Sequence, residues 1–404
     1  MRFSGFCQLT PFLLLLLSMP GISGQITRED PASDPGFIHF YNNEFDEAIS
    51  YFEAQVKAFP EDPDRYNHLA QSILYRELFR DGALESELIG GTNPFLRRPK
   101  MRIGQQEQAR FDECIDRALK LSEASLNQNP QNTRALYALG VAHGLRANYL
   151  FLAEKAWVDS LREATSARKA NERILEIDPN FVDAHLILGL NKYVVGCLPF
   201  YMRALGFIGG FHGDKEAGIR ELEFVRTNGV LDRYDAQILL AAIYRRERRP
   251  QNAIPLLEQA AHTFPRNYLF RFEQVEMYSD LGNKTAALRV LDEIDQLRRC
   301  GAPGYARLWP EKLDYLRGNL LFWYGDLDPA LTNLERATQR ATVLDQGTAV
   351  MGWLRLGQVY DLRGNHRNAI QAYQEAINAA PQSEAASQAK QYIASPYRRK
   401  HVPA

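Results

Sequence analysis

Apolar residues recur along this chain at helical spacing, in successive pairs of segments, and no run shows the strict alternation of a half-buried strand. The clearest unit is GWLRLGQVYDLRGNHRNAIQAYQEAINAAPQ. Leu356, Gly357 and Tyr360 share one face of a first predicted helix, behind Trp353. Ala369, Tyr373 and Ala376 follow at i, i+4 and i+7 on a second. RGNH is the turn between them, and Pro381 stops the second helix. The small Gly357 and Ala369 let the two helices approach closely.

The same frame recurs upstream. Leu240, Ala241, Tyr244, Ala253, Leu257, Ala260 and Pro265 form one unit, and Tyr278, Ala287, Leu291 and Ile294 mark the next. Ala253 and Ala287 lie 34 residues apart. Gly318, Ala330, Leu334 and Ala337 mark another, and Ala48, Phe52 and Pro60 an early one; Leu136, Leu139, Gly140, Pro179, Leu188 and Gly189 continue the series. The spacing resembles the tetratricopeptide repeat, W-x2-L-G-x2-Y…A-x3-F…A…P, at every anchor of the last unit. That resemblance implies an all-α, right-handed superhelical solenoid of about seven or eight antiparallel helix pairs over residues 25–394. Two stretches break the frame. Residues 81–104 read as an irregular Gly- and Pro-bearing excursion. Residues 140–167 stay helix-friendly and predict elongated helices. The tail, residues 395–404, is basic and predicted to fray.

The middle of the chain carries a narrower resemblance. HGLRANYLFLAEKAW, followed by ILEIDPNFVDAHLILGLNKYVVGCLPFYMRALGFIGGFHGDKEAGIRELE, is similar to exported bacterial repeat proteins of unassigned function. More distantly it resembles the tetratricopeptide-repeat 39 proteins, which share Leu-Pro, a hydrophobic helix and Gly-Asp-(Lys/Arg)-Glu. A fold shared in this way gives function by analogy only.

Composition excludes several classes. The 404 residues are 45% hydrophobic and carry a formal net charge of -1, so no basic stripe speaks for nucleic acid. Arg2, the apolar run Pro11–Met19 and the small residues PGISG have the order of a secretory signal peptide, residues 1–24, with cleavage near Gly24/Gln25. The competing reading is a retained N-terminal anchor helix. Beyond that segment Cys114, Cys197 and Cys300 remain, an odd and widely spaced set that fits neither a disulfide framework nor a zinc site.

Candidate chemistry is sparse. LGFIGGFHGDKEAG packs glycines around Lys215, yet Gly206, Gly209, Gly210 and Gly213 do not have phosphate-loop spacing, and Asp214 and Glu216 would repel a phosphate. Asp214 reads instead as a helix N-cap. The run from Tyr193 to Phe211 carries one charge, Arg203. It is expected to be a buried solenoid helix, with peripheral membrane contact through Cys197–Phe211 as the alternative. Neither HExxH nor GxSxG occurs, so no catalytic residue, metal or cofactor is expected.

What remains is a binding surface. In the resembled family, set positions of each first helix face a concave groove. Carried over, they are Arg134, Tyr137 and Val141; Asp235, Ile238 and Arg245; Leu269, Phe272 and Glu276; and Met351, Arg355, Gln358 and Asp361. The resemblance therefore implies an exported, non-catalytic scaffold that binds a protein or peptide. The alternative is a membrane-associated or transport-linked accessory protein whose elongated middle helices hold a lipid or small apolar ligand.

Overall fold

A computed structural model describes residues 30–84, 101, 103–197 and 213–399. The expected signal peptide, most of the 81–104 excursion and most of the Cys197–Phe211 stretch lie outside these residues.

Seventeen α-helices and no strand occur among the described residues, and sixteen of the helices form eight consecutive pairs. The pairs are α1 (Pro35–Tyr41) with α2 (Phe45–Ala58), α3 (Pro63–Arg80) with α4 (Gln105–Gln128), and α5 (Thr133–Tyr149) with α6 (Trp157–Ile177). Next come α7 (His185–Gly196) with α8 (Lys215–Asn228), α9 (Arg233–Arg246) with α10 (Pro250–Thr263), and α11 (Tyr268–Asp280) with α12 (Lys284–Arg299). The last are α13 (Pro310–Tyr324) with α14 (Leu327–Gln339) and α15 (Gln346–Leu362) with α16 (His366–Ala379); α17 (Glu384–Ala394) closes the stack. The fold is an all-α solenoid of stacked helix pairs.

Local chemistry sets the boundaries. Side chains of Asp34, Asn132, Asp214, Asn283, Asp345, Asn365 and Ser383 accept backbone N–H groups at the starts of α1, α5, α8, α12, α15, α16 and α17, satisfying donors that a helix leaves orphaned. Asp214 performs the capping role read from the sequence, accepting from the Ala217 N–H at 2.9 Å. Gly357 faces the Tyr373 ring so closely that no Cβ fits between them. Between α5 and α6 the chain makes a π turn, Leu150–Glu154, and reverses at Lys155 with φ 57°.

Each pair buries an aliphatic or aromatic seam. Phe52, Ile115, Ile174, Leu222, Leu291, Leu334 and Tyr373 are fully enclosed. Every such side chain contributes about 1.5–3 kcal/mol by leaving water.

Closure is the feature that repeat periodicity does not announce. The first pair returns to contact the fifth and sixth. Arg266 donates to both Glu44 carboxylate oxygens at 2.6 and 2.8 Å, and its backbone N–H donates to Asn42 Oδ1 at 2.8 Å. Asn267 Nδ2 donates to the Tyr41 carbonyl at 2.8 Å, Arg233 pairs with Asp30 at 3.2 Å, and the Tyr41 and Phe264 rings stack at 4.7 Å.

The C-terminal tail departs from its predicted fraying as far as Arg399, the last residue described. The Tyr397 N–H donates to Asp361 Oδ2 at 2.7 Å, and the Arg399 guanidinium lies over the Phe322 ring at 5.1 Å. Its aromatic and cationic residues find an aromatic surface, a gain that basic composition alone does not reveal.

Candidate functional site

First helices of successive pairs come together where the closure brings α1 back to the start of α9. Tyr41 on α1, Tyr75 on α3, Tyr137 on α5 and the start of α9 meet there. Asp232 immediately precedes α9, the position where an aspartate normally caps, yet its side chain makes no capping bond. Asp183 braces the turn ahead of the helix. Its Oδ1 accepts the N–H groups of Val230 and Asp232, both at 3.0 Å. The Asp232 Oδ1 accepts from the Tyr137 hydroxyl at 2.9 Å instead of capping the helix.

The electrostatics follow from this crowding. Burial, then the neighbouring charges of Asp183 and Asp235, push Asp232 well above the usual carboxylate range. Burial pushes Asp235 up to about 6. The Tyr137 and Tyr41 hydroxyls are pushed upward by burial and then by these carboxylates, whose charge would oppose a phenolate. Asp183, Asp232 and Asp235 have no cationic partner among the described residues. Asp232 and Asp235 both keep solvent-accessible surface.

The residues expected to face a groove divide into distinct sets. Tyr137 and Asp235 come together around Asp232. Arg134, one turn before Tyr137, is engaged by Asp62 and Asp64 at 2.9 and 3.0 Å. Arg245 and Glu276 pair with each other at 3.2 Å, Arg245 also reaching Glu273 at 3.2 Å. Arg355 donates to Gln358 Oε1 at 2.6 Å and to Asn319 Oδ1 at 2.8 Å, and stands over the Trp323 ring at 4.5 Å.

Three placements, Leu269, Phe272 and Gln358, differ from expectation. Phe272 is only 4% exposed and belongs to the core with Leu269, Val275 and Leu291, so it offers no groove surface. Gln358 is 2% exposed and holds Arg355 in place. All three sit at nominally concave positions, but the structure buries them.

Asp183, Tyr41 and Tyr75 were not legible as site residues. Their convergence depends on closure between segments nearly two hundred positions apart. An aspartate directly before α9 could have flagged Asp232, but only as a helix cap, a role its side chain does not take.

Residues 238–299 and 315–384 match the family model described as tetratricopeptide repeat. The chain carries tetratricopeptide repeats over these two stretches. Its repeat units at α9–α12 and α13–α16 are thus recognised in sequence as well as in helix pairing. No curated protein matches the sequence. Among solved structures, this chain is similar to yeast Tom70, at 12% identity, 91% of this chain and 88% of that one, TM-score 0.40. It is also similar to the human IFIT1 dimer with m7Gppp-AAAA, at 13% identity, 88% and 79% coverage, TM-score 0.43. A tetratricopeptide repeat protein from Parabacteroides merdae aligns at 13% identity over 75% of this chain and 98% of its own, TM-score 0.32. The repeat scaffold is one typical of protein–protein interaction.

Proposed function

We propose that the chain is an exported, non-catalytic scaffold that holds a protein or peptide partner on its concave face. The observation that carries this reading is the convergence of half-buried polar and aromatic side chains, Tyr75, Tyr137, Asp232 and Asp235, on the inner wall of a repeat stack. Rigid first helices fix these groups in place, so binding would order few side chains, and that favours recognition of an extended segment. Export rests on the N-terminal pattern of Arg2, Pro11–Met19 and PGISG.

Crosslinking of the full-length chain in its native compartment, followed by capture, should enrich a protein partner through the inner wall. Capture that is unchanged when Tyr137 and Asp235 are replaced together would refute use of that face. Cell fractionation with N-terminal sequencing tests export: the mature chain should begin near Gln25, and an intact Met1 terminus would exclude cleavage there.

A further inference from the structure

After α17 the chain continues as an arm that lies on its own helices without being one. The helix ends at Ala394, the backbone of Ser395 is extended, and Pro396 prevents further helix. From there the arm runs backwards along the stack, past the last turn of α15 to the last turn of α13. The Tyr397 N–H donates to Asp361 Oδ2 at 2.7 Å, and its ring meets Tyr392 edge-on at 5.1 Å and Phe322 at 6.1 Å. Two residues on, the Arg399 guanidinium donates to the Phe322 carbonyl and lies over the Phe322 ring at 5.1 Å. That carbonyl belongs to the last turn of α13, the negative end of the helix dipole, where a cation is favoured.

The arm contacts the helices lightly, and the surface beneath it is fixed by other bonds. Ser395, Pro396, Arg398 and Arg399 are exposed, and Tyr397 is half-buried. Asp361 is already held by the Tyr373 hydroxyl at 2.7 Å and by His366 Nδ1 at 2.6 Å. Arg355, which also lies over the Phe322 ring at 5.0 Å, is fixed by Gln358 and Asn319. Arg355, Gln358 and Asp361 are positions that the family resemblance assigns to a binding groove, so the arm lies where a partner segment is expected.

We propose that the arm Ser395–Arg399 is a displaceable internal ligand. It holds a docking surface at the ends of α13 and α15 that fits an extended partner segment with an aromatic residue followed two positions later by arginine. In an extended backbone residues i and i+2 point to the same side, which sets both anchors on the helices. A tethered ligand acts at a high effective concentration, so a partner segment engages this surface only by displacing the arm. This inference rests on the reading of the chain as a peptide-binding scaffold and adds a docking surface with its own resident occupant.

The test is fluorescence anisotropy with the full-length chain and a labelled, amidated peptide of residues 394–399. The double variant Tyr397→Ala with Arg399→Glu, which detaches the arm, should bind this peptide at least about tenfold more tightly than the wild type. Arg398→Ala, at the exposed position between the anchors, should bind it as the wild type does. Peptides that themselves carry Tyr397→Ala or Arg399→Glu should lose binding to the double variant. Circular dichroism checks that each variant keeps its helices. A double variant that binds the peptide no more tightly than the wild type, or not at all at about 1 mM peptide, overturns the proposal and leaves the arm a structural cap. Equal binding of the altered peptides, or an equal gain in Arg398→Ala, also overturns it. If the proposal falls in this way while capture of a crosslinked partner still drops on replacing Tyr137 and Asp235 together, the scaffold reading stands.

Discussion

Individual residues show how burial and exposure exchange roles on a concave wall. Phe272 occupies a nominal groove position but lies in the core. Phe272→Ala should therefore act on stability, lowering it by about 3–5 kcal/mol in urea denaturation. Asp235 makes the opposite prediction. Its folded-state pKa, about 6, lies above the usual value near 3.9, so the folded chain holds this proton more tightly than the unfolded chain. Its contribution to stability is then most favourable near pH 4 and is lost as pH rises through 6. Asp235→Asn should stabilise the protein at pH 7 by about 1–2 kcal/mol, with the difference from wild type vanishing near pH 4. Thermal melts at both pH values check this. His68 pulls the other way: burial, then the charges of Arg65 and Arg134, hold it down to about 3, so folding disfavours its protonation below about pH 6.5. That effect is common to both proteins and drops out of the comparison.

At the level of elements, α1 is the telling case. It is short, Pro35–Tyr41, and helices of that length are marginal alone. Its order comes from Asp34 at one end and from contacts to α11 and the preceding loop at the other. Asn267 is buried and serves both: it donates to the Tyr41 carbonyl, and its Oδ1 accepts the Leu269 N–H at 2.9 Å. Asn267→Ala strands those groups and should cost about 1–3 kcal/mol. Hydrogen exchange should localise the loss, with amides of α1 exchanging faster and those of α16 unchanged.

Over the whole molecule, closure changes how the solenoid unfolds. In an open solenoid each repeat touches only its neighbours, and a defect stays local. Here the first pair is tied to the fifth and sixth through Glu44–Arg266 and Asp30–Arg233. Glu44→Gln with Asn42→Ala should therefore raise exchange in α9–α11 as well as in α1–α2, by native-state hydrogen exchange. An effect confined to α1–α2 would show that the contact transmits no stability. Glu44 is held below the usual carboxylate range by Arg266 and His39 despite the opposing cost of burial, so this tie is present above the ordinary glutamate pKa and weakens as pH falls below about 4.

The sequence alone determined the helix pairs, because their cause is local: periodic apolar anchors, small residues at close approaches, and side chains that cap. Asp214, Gly357 and the Ala253–Ala287 interval carry that information within one or two repeats of chain. The family resemblance adds the expectation that Tyr137 and Asp235 face a groove. Only the tertiary structure decided what those positions meet. Whether a nominally concave residue is groove or core, as at Phe272, depends on the packing of the side chains around it, here a core shared with Val275 and Leu291. The meeting of Tyr41 with Asp232 and Asp235 depends on closure between residues near 41 and residues near 235, and on Asp183 bracing the turn before α9. Such contacts join segments with no shared periodicity, so no pattern along the chain records them.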